Sequence, residues 1–135
     1  MINGAHFSTL ERVLDAAALR QKAIAENIAN VDTPYYKRSD VRFEELLQKS
    51  LQAESVAPFV GKRTDVRHLK IGSDNPLPEP TIIIDEHSAM NNNQNNVDID
   101  SEMALLAKNQ LRYNVVVDQV VHQFKMIRTA LDGRT

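Results

Sequence analysis

The side chains best suited to chemistry in this chain are its four histidines, His6, His68, His87 and His122. No two of them stand at the helical spacing of a metal-binding pair. The run Asp85-Glu86-His87 gathers three ligand types, but neighbours on a strand point to opposite faces and cannot converge on one ion. His122 reads as a partly buried packing residue. There is no cysteine, hence no disulfide framework and no thiolate metal site. No serine or threonine lies in a nucleophile elbow, and no glycine spacing suggests a nucleotide loop. The densest basic run, Lys62, Arg63, Arg67 and Lys70 around Asp65, reads as a solvated loop, with contact to an anionic surface as the functional alternative. These residues support neither an enzyme nor a bound metal, cofactor or small-molecule substrate.

The elements that would position these residues say more. The chain has 135 residues and a net charge of −2, with sixteen basic residues spread along it. That is the length of one domain, without the concentrated basic face that nucleic acid requires. Aromatic residues are few and tryptophan is absent, so a large core is not assured. The first residues, MINGAHFSTLERVL, lack the pattern of a cleaved secretory leader. No apolar run approaches the roughly 20 residues needed to span a bilayer.

Apolar positions from Phe7 advance by alternating steps of three and four through Leu10, Leu14, Ala17, Gln21, Ile24, Ile28 and Val31. Towards the other end Ile99, Met103, Leu106, Gln110, Tyr113, Val117, Val120, Phe124, Ile127 and Leu131 do the same. Both are heptad seams, each interrupted by one glutamine that can fix register. They predict a mainly α fold in which long N- and C-terminal helices, roughly 37 Å and 50 Å long at 1.5 Å per residue, pair as an antiparallel coiled coil. Ser8 with Glu11 fits a capping box, with Asn3 as another start, and Thr33-Pro34 fits a stop. Asp98, Asp100 and Glu102 place acid at the start of the last helix, and Gly133 fits its left-handed cap.

Between the long helices, residues 41–54 carry a loose helical pattern that predicts a short third helix. A proline- and glycine-punctuated loop follows. TIIIDE is a strand candidate, with Val66 to Ile71 as its expected partner. Residues 91–96, NNNQNN, read as a polar linker. The expected parts are an axial helix over 1–33, a short helix with irregular loop and β structure over 34–97, and a second axial helix over 98–135.

The two long helices carry more apolar side chains than one seam buries. Val13, Ala18 and Ala25 lie off the first seam; Leu105, Leu111, Val115, Val116 and Val121 lie off the second. A stripe wider than a seam needs further neighbours, and valines are poor helix formers that packing must support. The inference is that other subunits complete the core, with the seam residues packing within one subunit and the off-seam residues between subunits. The other reading of the pattern is a self-contained helical domain covered by its own loop.

The stretches RQKAIAENIANVDTPYYKRSDV and NNVDIDSEMALLAKNQLRYNVVVDQVVHQFKMIRTALDGR resemble the rod proteins of the bacterial flagellar basal body, specifically the proximal-rod, FlgB type. Asn27, Ile28, Asn30, Thr33, Pro34, Tyr36 and Lys37 stand at the positions of the signature shared by flagellar axial proteins. The family usually has glycine after this proline, and Tyr35 occupies that place here. The resemblance implies a structural subunit without catalysis or cofactor, exported through the flagellar type III apparatus without a cleaved signal. Its implied partners are other rod proteins and the basal-body ring or adaptor proteins, in an extracytoplasmic drive shaft that transmits torque. The alternatives from other classes are a cytoplasmic coiled-coil adaptor and a wall-binding module acting through residues 62–70.

Overall fold

A computed structural model of the chain describes residues 4–55, 77–88 and 93–133. It is mainly helical, with one two-stranded sheet, in the order α1 (Gly4–Ala29), β1 (Ser39–Arg42), α2 (Glu44–Ser55), β2 (Thr81–Ile84) and α3 (Ile99–Asp132).

The long helices pack on each other along much of α1. Asn27 meets Glu102, Ala17 and Gln21 meet Asn109, and Phe7 meets Phe124, so contacts move up α1 as they move down α3. At α3's start the Asp98 carboxylate accepts from the Asp100 N–H, and at its end Gly133 takes φ 61°, a left-handed cap conformation that glycine adopts without strain.

Ser8 lies inside α1 instead of capping it, because the helix already runs from Gly4; Asn3 lies outside the described residues. The helix also stops at Ala29, before Thr33-Pro34. A turn intervenes, with the Asn30 N–H shared between the Glu26 and Asn27 carbonyls and the Thr33 N–H returning to Asn30 O.

The short helix is Glu44–Ser55, shorter at its start than the pattern predicts because Val41 and Arg42 belong to β1. Val41 and Phe43 are buried, so their apolar character serves the junction of strand and helix. The TIII strand pairs antiparallel with β1, from Ser39 opposite Ile84 to Arg42 opposite Thr81. The partner expected for it, Val66 to Ile71, lies outside the described residues. The basic run at 62–70 lies outside them as well.

The core is small. Ala16, Ala17, Ala23 and Ile24 of α1 are buried together with Val41, Phe43 and Val97. Polar side chains are buried beside them: Asn27, Asn95, Asn96, Glu102 and Asn109. Among the described residues no helix is long and apolar enough to cross a membrane.

Candidate functional site

The buried polar side chains form one connected structure where the end of α1, the start of α3 and the β ribbon meet. Its centre is Asn27, in the last turns of α1. The Asn27 amide donates to Ser39 O at 2.8 Å and to Glu102 Oε2 at 3.1 Å. Its carbonyl accepts from the Ser39 N–H at 2.9 Å and from the Tyr36 hydroxyl at 3.3 Å. Both donors and both acceptor positions are used, which is what a fully buried amide needs to offset its desolvation.

Glu102, equally buried, is held from a second side by Arg38, whose Nε donates to Oε1 at 2.5 Å. Burial works against the Arg38 charge, but the hydrogen bond and charge of Glu102, with help from Asp40, outweigh it and hold its pKa above the ordinary arginine value. The pair thus has the hydrogen-bonded geometry that a buried ion pair requires.

Asn95 and Asn96 close the structure from the segment read as a linker. The Asn95 amide donates to the carbonyls of Asn30, Val31 and Thr33 at 3.0, 3.0 and 2.9 Å, while its own carbonyl accepts from the Val97 N–H at 2.7 Å. It caps the exit of α1, whose last turn has no basic residue to do so. Asn96 accepts from the Arg38 N–H at 2.6 Å and donates to Asp85 O and Ser88 Oγ, tying the ribbon to the start of α3. The polar-linker reading of 91–96 is thereby corrected at Asn95 and Asn96, which are buried because the turn after α1 offers them backbone groups to satisfy; Asn91 and Asn92 lie outside the described residues.

Tyr35 adopts φ 62° and Gln94 φ 61°, two left-handed conformations in non-glycine residues. They face each other across the turn: the Tyr35 N–H donates to Asn93 O at 3.1 Å, and Lys37 Nζ donates to Gln94 O at 3.1 Å and Ser88 O at 2.8 Å. The turn keeps the geometry that suits glycine and imposes it on tyrosine.

The other signature residues surround this centre. Asn30 Nδ2 donates back to Glu26 O, and Thr33 Oγ1 donates to Asn30 Oδ1, so these two side chains build the turn. Ile28 is half-buried and Pro34 is exposed. A second polar tie lies farther along, where Asn109 donates to Ala17 O at 2.9 Å and to Gln21 Oε1 at 3.1 Å. Outside it, Glu44 accepts from Arg20 at 2.6 Å and from Arg112 at 3.1 Å, linking α1, α2 and α3. Burial raises the Glu44 pKa, but the Arg20 hydrogen bond, a backbone hydrogen bond and both guanidinium charges carry the net value below the usual carboxylate range.

Of the residues expected on the seam, Ala17 and Ile24 are buried, and Leu10, Leu14, Ile28, Val31, Leu106, Val117, Val120 and Ile127 are half-buried. Phe7, Met103, Tyr113, Phe124 and Leu131 are 37, 52, 40, 54 and 80% exposed. Of the off-seam set, Val13, Leu105 and Val116 are half-buried, and Ala18, Ala25, Leu111, Val115 and Val121 are exposed. In α3 the inward positions are Glu102 and Asn109, one residue before Met103 and Gln110, so the inward face is rotated from the apolar stripe. Glu102, Asn109, Arg38, Asn95 and Asn96 have no place in a hydrophobic pattern. The seven-residue interval between Glu102 and Asn109 was the available signal.

Among the described residues no histidine takes part in the centre. His87 and His122 are exposed, which corrects the partly buried reading of His122: it lies beyond the faces of α3 that pack on α1. His6 Nδ1 is 2.8 Å from Gln123 Nε2, and His68 lies outside the described residues. Asp85 is exposed and spends its carboxylate on Ser88 and the His87 N–H, and the Ser88 hydroxyl bond is the main cause of its lowered pKa. Among the described residues no three histidine, cysteine, aspartate or glutamate side chains stand together as metal ligands would.

The site is thus a tie between two helices, and its α1 side, with the turn that follows, lies in a segment that matches a protein family. Residues 7–37, from the aromatic contact near the start of α1 to the lysine that closes the turn, match the family model described as Flagella basal body rod protein. The chain is 39% identical over 122 residues to the flagellar basal body rod protein FlgB of Borreliella burgdorferi, covering 89% of this chain and 90% of that one. It is 37% identical to FlgB of Bacillus subtilis, over 92% and 91% of the two chains, and 30% identical to FlgB of Escherichia coli, over 91% and 90%. With that identity running almost end to end, and with a centre whose polar groups are used to join helices, the chain belongs to the FlgB family of flagellar basal body rod proteins, structural subunits of the rod and not enzymes.

Proposed function

We propose that this chain is a proximal-rod subunit that polymerises through its terminal helices and transmits torque. The observation that carries the reading is the apolar surface left on α3, where Leu111 and Val115 are each 67% exposed and Leu131 is 80% exposed. A helix that is apolar beyond one stripe calls for neighbours on more than one side. In this reading α1 and α3 form an antiparallel coiled coil, and the parts 1–33 and 98–135 are axial while 34–97 is the intervening region. The half-buried and buried seam residues Leu10, Leu14, Ala17, Ile24, Leu106 and Val120 hold the subunit together. Leu111, Val115 and Val121 join it to neighbours, as do Ala18 and Ala25 on α1.

Torque requires that the helices not slide past one another. The tie of Asn27, Arg38 and Glu102 supports that role, because sliding α3 by one turn, roughly 5.4 Å, would strand a buried carboxylate and a buried amide. The partners are other rod proteins, the basal-body ring or adaptor proteins and the type III export apparatus that delivers the chain without a cleaved signal. The location is the extracytoplasmic, periplasmic or cell-wall zone of the basal body.

Cryo-electron microscopy of intact basal bodies, with cell fractionation beside it, tests the reading. The chain is expected in the rod segment next to the membrane ring and in the basal-body fraction. Recovery in the cytosol alone, with a density map that excludes it from the rod, would overturn the proposal in favour of an adaptor.

A further inference from the structure

The two strands of the ribbon differ in how their outer edges are used. The Asp85 N–H donates to Arg38 O at 2.9 Å, so Arg38 with Asp85 and Asp40 with Ile83 are the bonded pairs of the antiparallel ladder. Ser39, Val41, Ile82 and Ile84 therefore turn their backbone groups outwards. On β1 those groups are taken. The Asn27 side chain serves both the N–H and the carbonyl of Ser39, Arg20 donates to Val41 O, and the Val41 N–H donates to Asp40 Oδ1. On β2 no described residue bonds the outward N–H or carbonyl of Ile82 or Ile84.

Side chains opposite each other across a ladder share a face, so Ile82 and Ile84 lie on the face of Val41 and Ser39. Val41 is 5% exposed, whereas Ile82 and Ile84 are 45 and 54% exposed. The apolar face buried at Val41 thus runs on to β2, where the described residues leave it half uncovered. Acid brackets the strand, with Glu79 before it and Asp85 and Glu86 after it.

Such an edge suits a strand that mixes apolar and basic side chains. Two copies of β2 do not satisfy it, because aligned antiparallel about Ile83 they would bring Glu86 of each beside Glu79 of the other. Residues 66–71 of this chain, VRHLKI, do satisfy it. They lie outside the described residues, in the densest basic run of the sequence. Residues 72–80, with one glycine and three prolines, are long enough to return the chain to Thr81. With Ile71 opposite Ile82, Leu69 falls opposite Ile84 and Arg67 opposite Glu86. Both apolar side chains then extend the Val41 face, and the charges match. A slip of one residue would put His68 and Lys70 on that face instead.

We infer that residues 66–71 pair antiparallel with the outer edge of β2 in this register, making a three-stranded sheet within one subunit. The short tether favours the chain's own segment over a neighbour's, since it makes the pairing intramolecular. The inference goes beyond the rod reading and does not rest on it. It closes an edge that would otherwise template pairing between copies, and it spends Arg67 inside the subunit instead of on an external anion.

The chain has no cysteine, so introduced pairs report alone. In the full-length protein at low concentration, Leu69→Cys with Ile84→Cys is expected to close an intramolecular disulfide under mild oxidation. Bonded antiparallel partners hold their Cα atoms about 5.5 Å apart, within disulfide reach. His68→Cys with Ile84→Cys should close far more slowly, because residue 68 falls on the opposite face. Hydrogen exchange followed by nuclear magnetic resonance should find the Ile82 and Ile84 amides protected in the wild type. Leu69→Pro deletes the N–H that donates to Ile84 O in this register. It should abolish the protection of the Ile84 amide while the Ile83 amide, bonded within the ribbon, keeps its own.

Equal closure of the two cysteine pairs, or a disulfide formed only between molecules, would overturn the inference. So would free exchange of the Ile82 and Ile84 amides in the wild type, or unchanged protection of Ile84 in Leu69→Pro. None of these results bears on whether the chain co-purifies with basal bodies, so the rod reading stands or falls separately.

Discussion

The Asn95 amide donates to the carbonyl of Asn30 across 65 residues of sequence, at 3.0 Å. One side chain placed just before α3 thereby satisfies the backbone where α1 has just ended, with Val31 and Thr33 sharing the same nitrogen. The ends of the two helices are fixed to each other before any apolar contact along their length is counted. With so few buried apolar side chains among the described residues, this polar junction defines how the helices meet.

Asn95→Ala is expected to lower stability by about 2 kcal/mol, since it removes the donor to three carbonyls and the acceptor for the Val97 N–H, and leaving a buried group unmade costs roughly 1–3 kcal/mol. Asn95→Asp should do worse, because a carboxylate would face three carbonyl oxygens. Urea unfolding followed by far-ultraviolet dichroism reads both. Wild-type stability in the aspartate variant would show that the amide is not what holds the turn.

Glu102 gives the second prediction. Glu102→Ala leaves Arg38 without its carboxylate and Asn27 without one of its acceptors, and breaking a buried pair from one side costs roughly 3–5 kcal/mol. The lower end applies because the Arg38 side chain is a quarter exposed and water can reach it. Replacing both partners with apolar residues, Arg38→Met with Glu102→Leu, should recover much of the loss. A double variant no better than Glu102→Ala would mean that the lost interaction lies with Asn27 and not with Arg38.

Much of this architecture is legible in the sequence, and what is not has a common physical cause. The long helices follow from spacing, and Gly133 and Asp98 mark the ends of α3 as their chemistry dictates. Hydrophobic periodicity finds the apolar stripe of α3 but gives no sign of the two polar side chains buried beside it. Glu102 and Asn109 occupy inward positions because they bond to α1 partners far away in sequence. Asn95 and Asn96 are missed for the same reason: an asparagine run looks solvated until the carbonyls it will meet are known. The β1–β2 pairing is likewise non-local, and β-branching alone does not identify the partner of Ile82 to Ile84.

Tyr35 supplies a third prediction. At φ 62° an L-residue is disfavoured by roughly 1–2 kcal/mol, while glycine adds roughly 0.5–1 kcal/mol of entropy loss on folding. Tyr35→Gly should therefore stabilise the protein by about 0.5–1 kcal/mol, because the tyrosine side chain is 71% exposed and contributes little packing. Tyr35→Val should destabilise it, since β-branching makes the left-handed region harder to reach. Equal midpoints for the three proteins in chemical denaturation would show that the left-handed conformation carries no strain. A stabilised glycine variant that failed to enter the rod would instead assign the exposed ring to a neighbour.

The last prediction concerns acid. Glu44 has a folded-state pKa below its unfolded value, so the stability it contributes is fully present above the ordinary glutamate pKa and is lost as pH falls through the lower, folded value. The carboxylate is the partner that titrates in this range. Wild-type stability should thus fall on acidification, and Glu44→Gln should be less stable near neutrality with a shallower fall below the unfolded glutamate pKa. Half of the Glu44 side chain is exposed, so salt should shrink the difference between the two proteins at neutral pH. Parallel pH profiles for wild type and Glu44→Gln would show that the two arginines hold α1, α2 and α3 together through packing of their stems and not through the charge they share.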